Sequence, residues 1–194
     1  MVYIHAARTN NELLSLPLFT GMKKEFVVLV NKEGKKIGTA EKLEAHQRGL
    51  LHRAFSIFIF NDRGEMLLQK RAPGKYHFAD MWSNACCSHP RPGEKILSAA
   101  KRRLREELNL QTRLESKGPV RYKFFDAGSQ LTEHEYDYIF TGRFNGVVDF
   151  NFKEVAGIKW VSNPALKKEI KFQPRRFTPW FLFIMNKLSE QLWS

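Results

Sequence analysis

The chain has 194 residues, of which 43% are hydrophobic, and a formal net charge of +12 at pH 7. This length suits one domain that can bury a hydrophobic core without disulfides. No apolar run approaches the ~20 residues that a transmembrane helix needs, and Arg8 and Glu12 interrupt the region where a signal peptide would lie. The sequence therefore predicts a cytoplasmic protein that does not insert into a membrane.

The basic residues are dispersed in pairs along the chain rather than gathered in one tail. A positive net charge is typical of proteins that bind nucleic acid, an anionic membrane surface or an anionic small substrate. The dispersed pairs favour a solvated surface over a nucleic-acid footprint. The two cysteines, Cys86 and Cys87, are adjacent, and adjacent cysteines rarely satisfy disulfide geometry. We therefore expect free thiols and a reducing compartment.

Residues 1–22 have no clear hydrophobic period and are interpreted as an N-terminal extension to a single domain over residues 23–194. Apolar or alternating runs separated by turns predict strands in the first part of this domain. These strands cover residues 25–31, 36–40, 54–60 and 65–71. The last two form a hairpin around the turn at 61–64, and residues 41–52 form a short helix or a loop.

An amphipathic helix follows the segment rich in Pro and Gly at residues 90–93. Its apolar residues recur at three- and four-residue intervals: Leu97, Ala100, Leu104 and Leu108. Asn109 tolerates the left-handed conformation that ends a helix. Further strands are predicted over 111–117, 120–125, 133–141 and 157–161, and helices from 165 and over 177–192. This order indicates an α/β sandwich around a mixed sheet.

In the strand predicted over 133–141, Glu133, Glu135 and Asp137 share one face because alternate residues of a strand point the same way. Burying such an acidic row is costly unless a cation neutralises it. Taken alone, the alternation favours a solvated outer face.

The chain also offers residues of the type that bind metal ions. They are His46, His52, His89, Glu133 and Glu135. Three imidazoles and two carboxylates form a mixed nitrogen and oxygen set that suits Zn²⁺, Mn²⁺ or a similar ion with an open coordination position.

The segment from Ser88 to Leu110 resembles the Nudix box, in which a loop and a helix hold a divalent metal against a diphosphate. The matching residues are Ser88, Glu94, Arg102, Glu106 and Glu107. Ser88 replaces the first Gly of the box, and Arg103 replaces a Glu that hydrolytic members generally keep. Combined with the His and Glu set, the chain resembles the type 1 isopentenyl-diphosphate isomerases of the Nudix superfamily from about residue 25 to residue 187.

The resemblance implies a Nudix-type α/β/α sandwich with one catalytic domain over residues 23–194. It implies that the His and Glu set holds one divalent metal (Mn²⁺, Zn²⁺ or Mg²⁺) and that Glu107 helps to hold a Mg²⁺ on the substrate diphosphate. The diphosphate oxygens would be contacted by Lys42, Arg71, Lys75 and Arg103. The substrate would be a small allylic or homoallylic diphosphate, and a monomer is favoured.

The resemblance further implies that Cys87 and Glu135 transfer protons on opposite faces of an alkene, with Tyr122 positioning or relaying a proton. Such an isomerisation moves a double bond through a tertiary carbocation, which the π face of Trp180 can stabilise by ~2 kcal/mol when desolvated. Which group donates first stays open, and Cys86 is a second available thiol. The alternatives are a Nudix hydrolase of a nucleoside diphosphate derivative and a non-catalytic nucleotide- or RNA-binding module.

Overall fold

The computed structural model describes residues 24–75 and 77–193, so the proposed N-terminal extension lies outside the described residues. The strands are β1 (Phe26–Val30), β2 (Lys36–Glu41), β3 (His52–Phe60), β4 (Met66–Arg71), β5 (Trp82–Asn84), β6 (Cys86–Ser88), β7 (Leu114–Asp126), β8 (Leu131–Arg143) and β9 (Val155–Val161). The helices are α1 (Lys42–Gln47), α2 (Ile96–Leu108), α3 (Asn163–Phe172) and α4 (Pro179–Trp193). Within the described ranges, no helix is long and apolar enough to span a bilayer.

Strand β3 lies at the centre of a mixed sheet. Its whole length runs parallel to β8, with His52 beside Glu135 and Phe60 beside Arg143. Its other edge is shared by β1 at the start, β6 in the middle and β4 at the end. The parallel pairing makes neighbours of residues that are far apart in sequence.

The hairpin predicted over 54–60 and 65–71 forms, but its strands pair only at Phe60 and Met66 before they diverge. Beyond that point β4 pairs with β5 on one edge and with β9 on the other. The divergence leaves room for β5 and β6, which carry Asn84 and Cys87. The sequence did not predict these two strands, because a run of three residues has no legible period.

Two apolar layers cover the sheet, which confirms the predicted α/β/α sandwich. One layer packs beneath α2 and includes Ile57, Leu67 and Leu104. The other packs beneath α4 and includes Leu68 and Phe181. Residues that alternate along one strand therefore contribute to different layers.

Helix α2 ends as predicted, with Asn109 in the left-handed conformation at φ 46°. The two strands predicted over 111–117 and 120–125 are instead one strand, β7, in which the register against β8 shifts between Ser116 and Gly118. A bulge absorbs the turn signal of Gly118, whose φ is 87°, without ending the strand. The acidic row on β8 is buried rather than solvated, because α4 and its apolar layer cover that face.

Candidate active site and metal centre

Five side chains of ligand type converge from separate elements of the fold. His46 comes from α1, His52 from β3, Glu133 and Glu135 from β8, and His89 follows β6 directly. One ligand atom from each lies within 4.8 Å of all the others. The structure thus brings together the whole set that the sequence predicted to bind a metal.

Hydrogen bonds orient the imidazoles towards one another. His46 and His52 each place Nδ1 against a backbone carbonyl oxygen, at 2.6 and 2.8 Å, which directs Nε2 into the cluster. His52 Nε2 lies 3.2 Å from His89 Nε2, which lies 2.7 Å from Glu135 Oε1. His46 Nε2 is 3.3 Å from Glu133 Oε2. The Nε2 atoms of His46 and His52 contact no backbone carbonyl oxygen, and they are the ring nitrogens that a metal would use.

The electrostatic environment acts differently on the members of this cluster. Burial lowers the pKa of His46, but its interactions with Glu133 outweigh this and raise it above its usual value. Burial lowers the pKa of His89 to about 4, and its hydrogen bond to Glu135 only partly opposes this, so the ring is neutral near pH 7. Burial raises the pKa of Glu133, but hydrogen bonds from His46 and His77 outweigh it and leave that pKa well below its usual range. Burial and Glu133 raise the pKa of Glu135, yet His52 and His89 outweigh both and lower it.

Three imidazoles and two carboxylates fit a divalent ion of the transition series, because such ions accept mixed nitrogen and oxygen ligands. Burial strengthens this interpretation, since two adjacent carboxylates in an apolar layer need compensating positive charge. The donor set alone does not select one metal.

A buried hydrogen-bonded row continues from Glu135 on the same face of β8. Tyr122 donates its hydroxyl to Glu135 Oε2 at 2.5 Å, and the same hydroxyl lies 3.2 Å from Asp137 Oδ2. Ser56 donates to Asp137 Oδ2 at 2.8 Å. Burial, followed by the charge of Glu135, raises the pKa of Asp137 well above its usual range.

Cys87 lies where this row meets α4. Its thiol donates to Asn84 Oδ1 at 2.9 Å, and its sulfur accepts from Trp180 Nε1 at 3.2 Å and from Ser56 Oγ at 3.5 Å. The Asn84 amide is fixed because its Nδ2 donates to two backbone carbonyls, at 3.1 and 2.9 Å. Burial, followed by the charge of Asp137, raises the pKa of Cys87 to about 12, so the resting group is a thiol.

The preceding residue, Cys86, points to the other face of the sheet. It is fully buried in the layer under α2 with Ala99 and Leu104. Both cysteines are free, as the sequence predicted. Because successive residues of a strand face opposite ways, only Cys87 reaches the site that contains Tyr122 and Trp180.

A cavity of about 80 Å³ lies above these groups. Cys87, Glu135 and Trp180 share its wall with four basic side chains. The basic residues are Lys42, Arg71, Lys75 and Arg103. A small space lined by four cations, a thiol, a carboxylate and an aromatic ring suits a small anionic substrate.

Arg71 links the cation group to the aromatic wall. Its guanidinium lies 5.2 Å from the centroid of the Trp180 ring and donates to the carbonyl oxygens of His77 and Phe78 at 3.1 and 3.0 Å. Arg71 therefore holds the loop after β4 as well as lining the cavity.

Glu107, on the buried side of α2, is not part of the His and Glu cluster. It is 2% exposed and accepts hydrogen bonds from Gln69 at 3.2 Å and from Arg103 at 2.7 Å. Arg103 also pairs with Glu154 at 3.1 Å, and Glu154 forms a close ion pair with Lys75. The role of Glu107 in holding a Mg²⁺ stays a prediction.

Sequence reasoning missed His77, Glu154 and the partners of the thiol, Ser56 and Asn84. Asp137 was placed on the correct face by strand alternation, but its role as a hydrogen-bonding neighbour of Tyr122 was not predicted. His77 lies on a loop, where no periodic signal exists, and it reaches Glu133 only through the tertiary fold.

Comparison with known proteins places this site in a family. Residues 50–181 match the NUDIX domain. A solved structure of DR0079 from Deinococcus radiodurans has the same fold, with a TM-score of 0.60 at 21% identity over 77% of this chain and 90% of that one. The MutT protein from Methanosarcina mazei Go1 gives 0.59 at 18% identity, covering 73% of this chain and 94% of its own. The protein is therefore a member of the Nudix superfamily.

Closer relatives define the family within it. The isopentenyl-diphosphate Delta-isomerase 2 of Photorhabdus laumondii is 46% identical over 86% of this chain and 94% of its own length. The isopentenyl-diphosphate Delta-isomerase of Streptomyces coelicolor is 47% identical over 81% of this chain and 80% of its own. The chain belongs to the isopentenyl-diphosphate Delta-isomerase family.

Proposed function

We propose that the protein is an enzyme of isoprenoid biosynthesis that interconverts isopentenyl diphosphate and dimethylallyl diphosphate. One observation carries this proposal: Cys87 and Glu135 line one small cavity together with Trp180 and four basic side chains. The names of the relatives support the same reaction, since they are isopentenyl-diphosphate Delta-isomerases.

The reaction needs two proton transfers and no redox chemistry. A proton adds to the terminal carbon of the alkene, the π electrons form the new C–H bond, and a tertiary carbocation is left at the neighbouring carbon. A proton then leaves the next carbon, and its bonding electrons form the new double bond. One protein group loses a proton and another gains one, so acid and base must flank the alkene.

Cys87 and Glu135 are the two proton-transfer groups in this proposal. Burial keeps the Cys87 thiol protonated, and Trp180 Nε1–H can donate to the sulfur when it becomes a thiolate. Tyr122 donates a hydrogen bond to Glu135 Oε2 and can relay a proton between the alkene and this carboxyl group. The Trp180 ring, 3% exposed, offers a π face to the cation and excludes the water that would capture it.

The basic side chains bind the diphosphate end of the substrate. Lys42, Arg71 and Lys75 line the cavity and supply charge-assisted hydrogen bonds to phosphate oxygens. Arg103 contributes positive charge from α2, although its guanidinium is already bound by carboxylates of its own helix.

The five clustered side chains would hold one divalent metal, which we propose to be Zn²⁺, Mn²⁺ or Mg²⁺. Its coordinating residues would be His46, His52, His89, Glu133 and Glu135. A bound divalent ion supplies positive charge that makes a coordinated carboxylic acid a stronger proton donor. Glu107 would contribute to a Mg²⁺ carried by the diphosphate, as the Nudix box implies.

Hydrolysis of a nucleoside diphosphate derivative is not favoured. Arg103 stands where hydrolytic members of the superfamily generally keep a Glu, and its guanidinium, which is paired with Glu106 and Glu107, cannot replace a carboxylate as a metal ligand. The two solved structures named above share only the fold with this chain, at 18–21% identity.

We also propose that residues 23–194 form one catalytic domain preceded by an N-terminal extension, in a cytoplasmic monomer. The free adjacent thiols favour a reducing compartment. Sedimentation of the purified protein tests the monomer, and activity of a chain that begins at residue 23 tests the domain boundary.

Proton NMR of the full chain with isopentenyl diphosphate and Mg²⁺ in deuterated water tests the reaction. We expect the dimethylallyl isomer to appear with deuterium incorporated, because the added proton exchanges with solvent through the protein groups. Unchanged isopentenyl diphosphate in metal-replete protein, together with phosphate release from nucleoside diphosphates, would overturn the proposal.

A further inference from the structure

A fourth imidazole, that of His77, lies beside the three histidines and two glutamates proposed as metal ligands. His77 Nε2 makes a close contact with Glu133 Oε1, and the side chains of both residues are 7% exposed. Its ring centroid is 5.3 Å from that of His46. His77 is nevertheless outside the set whose ligand atoms all lie within 4.8 Å of one another.

The loop that carries His77 is held in place at several points. Arg71 donates to the carbonyl oxygens of both His77 and Phe78. The backbone N–H of Phe78 donates to Asp126 Oδ2 at 3.4 Å. Phe78 also has a φ of 47°, which is rare for an aromatic residue and persists only where the surroundings enforce it. The fold thus constrains the position from which His77 reaches Glu133.

The two oxygens of Glu133 therefore have different surroundings. Oε1 is taken by His77, whereas Oε2 lies 3.3 Å from His46 Nε2 within the cluster. A carboxylate that is held by one oxygen cannot rotate to offer both to a metal. This leaves Glu133 able to act as a ligand through Oε2 alone.

We propose that His77 is a positioning residue that holds Glu133 Oε1 by a hydrogen bond, so that only Oε2 faces the metal. The inference rests on the metal centre assigned in the proposed function. Restricting Glu133 to one oxygen lowers the cost of ordering the site and leaves room in the coordination shell. Residues that orient metal ligands in this way typically change metal affinity ~10–100-fold when removed.

The experiment compares metal binding by metal-free protein carrying His77→Ala, His77→Gln or no substitution. Titration with Co²⁺, followed by its d–d absorption and by calorimetry, reports affinity and coordination without any substrate. We expect His77→Ala to weaken Co²⁺ binding ~10-fold or more. We expect His77→Gln, which keeps an N–H donor, to recover most of the affinity. At saturating metal, kcat and the substrate KM should change little, while the metal concentration for half-maximal activity rises.

His134→Gln is the matched control, because His134 lies between the two ligand carboxylates on β8 but contacts the carbonyl oxygen of Gly49 instead. Its Co²⁺ affinity should equal that of the unsubstituted chain. Unchanged affinity in both His77 variants would overturn the proposal. So would a Co²⁺ spectrum that shows the loss of a nitrogen donor, since His77 would then be a direct ligand. An inactive enzyme with the expected Co²⁺ affinities would instead count against the proposed reaction.

Discussion

The two faces of β6 give its adjacent cysteines opposite surroundings. Cys86 packs against apolar residues under α2, and Cys87 contacts Asn84, Ser56 and Trp180 under α4. Burial raises the pKa of both thiols, well above the usual range for Cys86 and to about 12 for Cys87. Burial alone therefore does not mark the functional thiol. What distinguishes Cys87 is the group of hydrogen-bonding partners around its sulfur.

The largest effect should come from Cys87→Ala, which removes one of the two proposed proton-transfer groups. We expect kcat for isomerisation to fall ~10³-fold or more, because a general acid or base contributes that much to the rate. The fold should persist. The measurement is kcat by the NMR assay, with circular dichroism as the check on folding.

Cys86→Ala is the matched control for that comparison. It should cost about 1 kcal/mol of unfolding free energy through a small buried cavity and leave kcat within ~3-fold. Full activity in Cys87→Ala, or loss of activity in Cys86→Ala alone, would show that the two faces have been assigned the wrong way round.

Tyr122→Phe should have the next largest effect, because it removes one hydroxyl group from the side of the sheet on which Cys87 lies. The hydroxyl bonds to Glu135 and Asp137, whereas the ring packs on Phe124 and Phe183 at centroid distances of 5.3 and 5.9 Å. We expect kcat to fall ~10²-fold with little change in stability. Tyr136→Phe, on the opposite face of β8, should leave kcat unaltered. Equal rates for the two variants would remove Tyr122 from the mechanism.

The smallest effect should come from Glu154→Gln, which removes a charge beside α2 and changes stability rather than the reaction rate. Burial raises the pKa of Glu154, but Lys75 and Arg103 outweigh this and lower it from 4.5 to about 2. A depressed pKa means that the stabilisation is complete above about pH 4.5 and is lost as the pH falls towards 2. Glu154→Gln should thus lower the free energy of unfolding by about 1 kcal/mol at pH 7.

Urea unfolding at several pH values measures this contribution. The difference in unfolding free energy between Glu154→Gln and the unsubstituted chain should shrink as the pH falls from 4.5 towards about 2. A gap that stays constant with pH would mean that the variant acts through packing rather than charge.

The sequence predicted what depends on local pattern and on the family resemblance. The existence of α2 followed from the spacing of its apolar residues, and its end followed from Asn109. The shared face of Glu133, Glu135 and Asp137 followed from strand alternation, but its burial did not, because alternation cannot say which layer covers a face. That depends on α4, which lies far along the chain. His77 was invisible for a related reason, since its contact with Glu133 exists only once the loop and β8 have met.

The parallel pairing of β3 with β8 also decides when the proposed metal centre can exist during synthesis. His46 and His52 leave the ribosome long before Glu133 and Glu135, and the register that places His52 beside Glu135 cannot form until β8 has been made. At translation rates of roughly 5–20 residues per second, several seconds separate the synthesis of His46 and His52 from that of Glu133 and Glu135. A metal ion can bind all five residues only after β3 and β8 have paired. The free energy of metal binding therefore stabilises the chain with a complete sheet relative to the nascent chain.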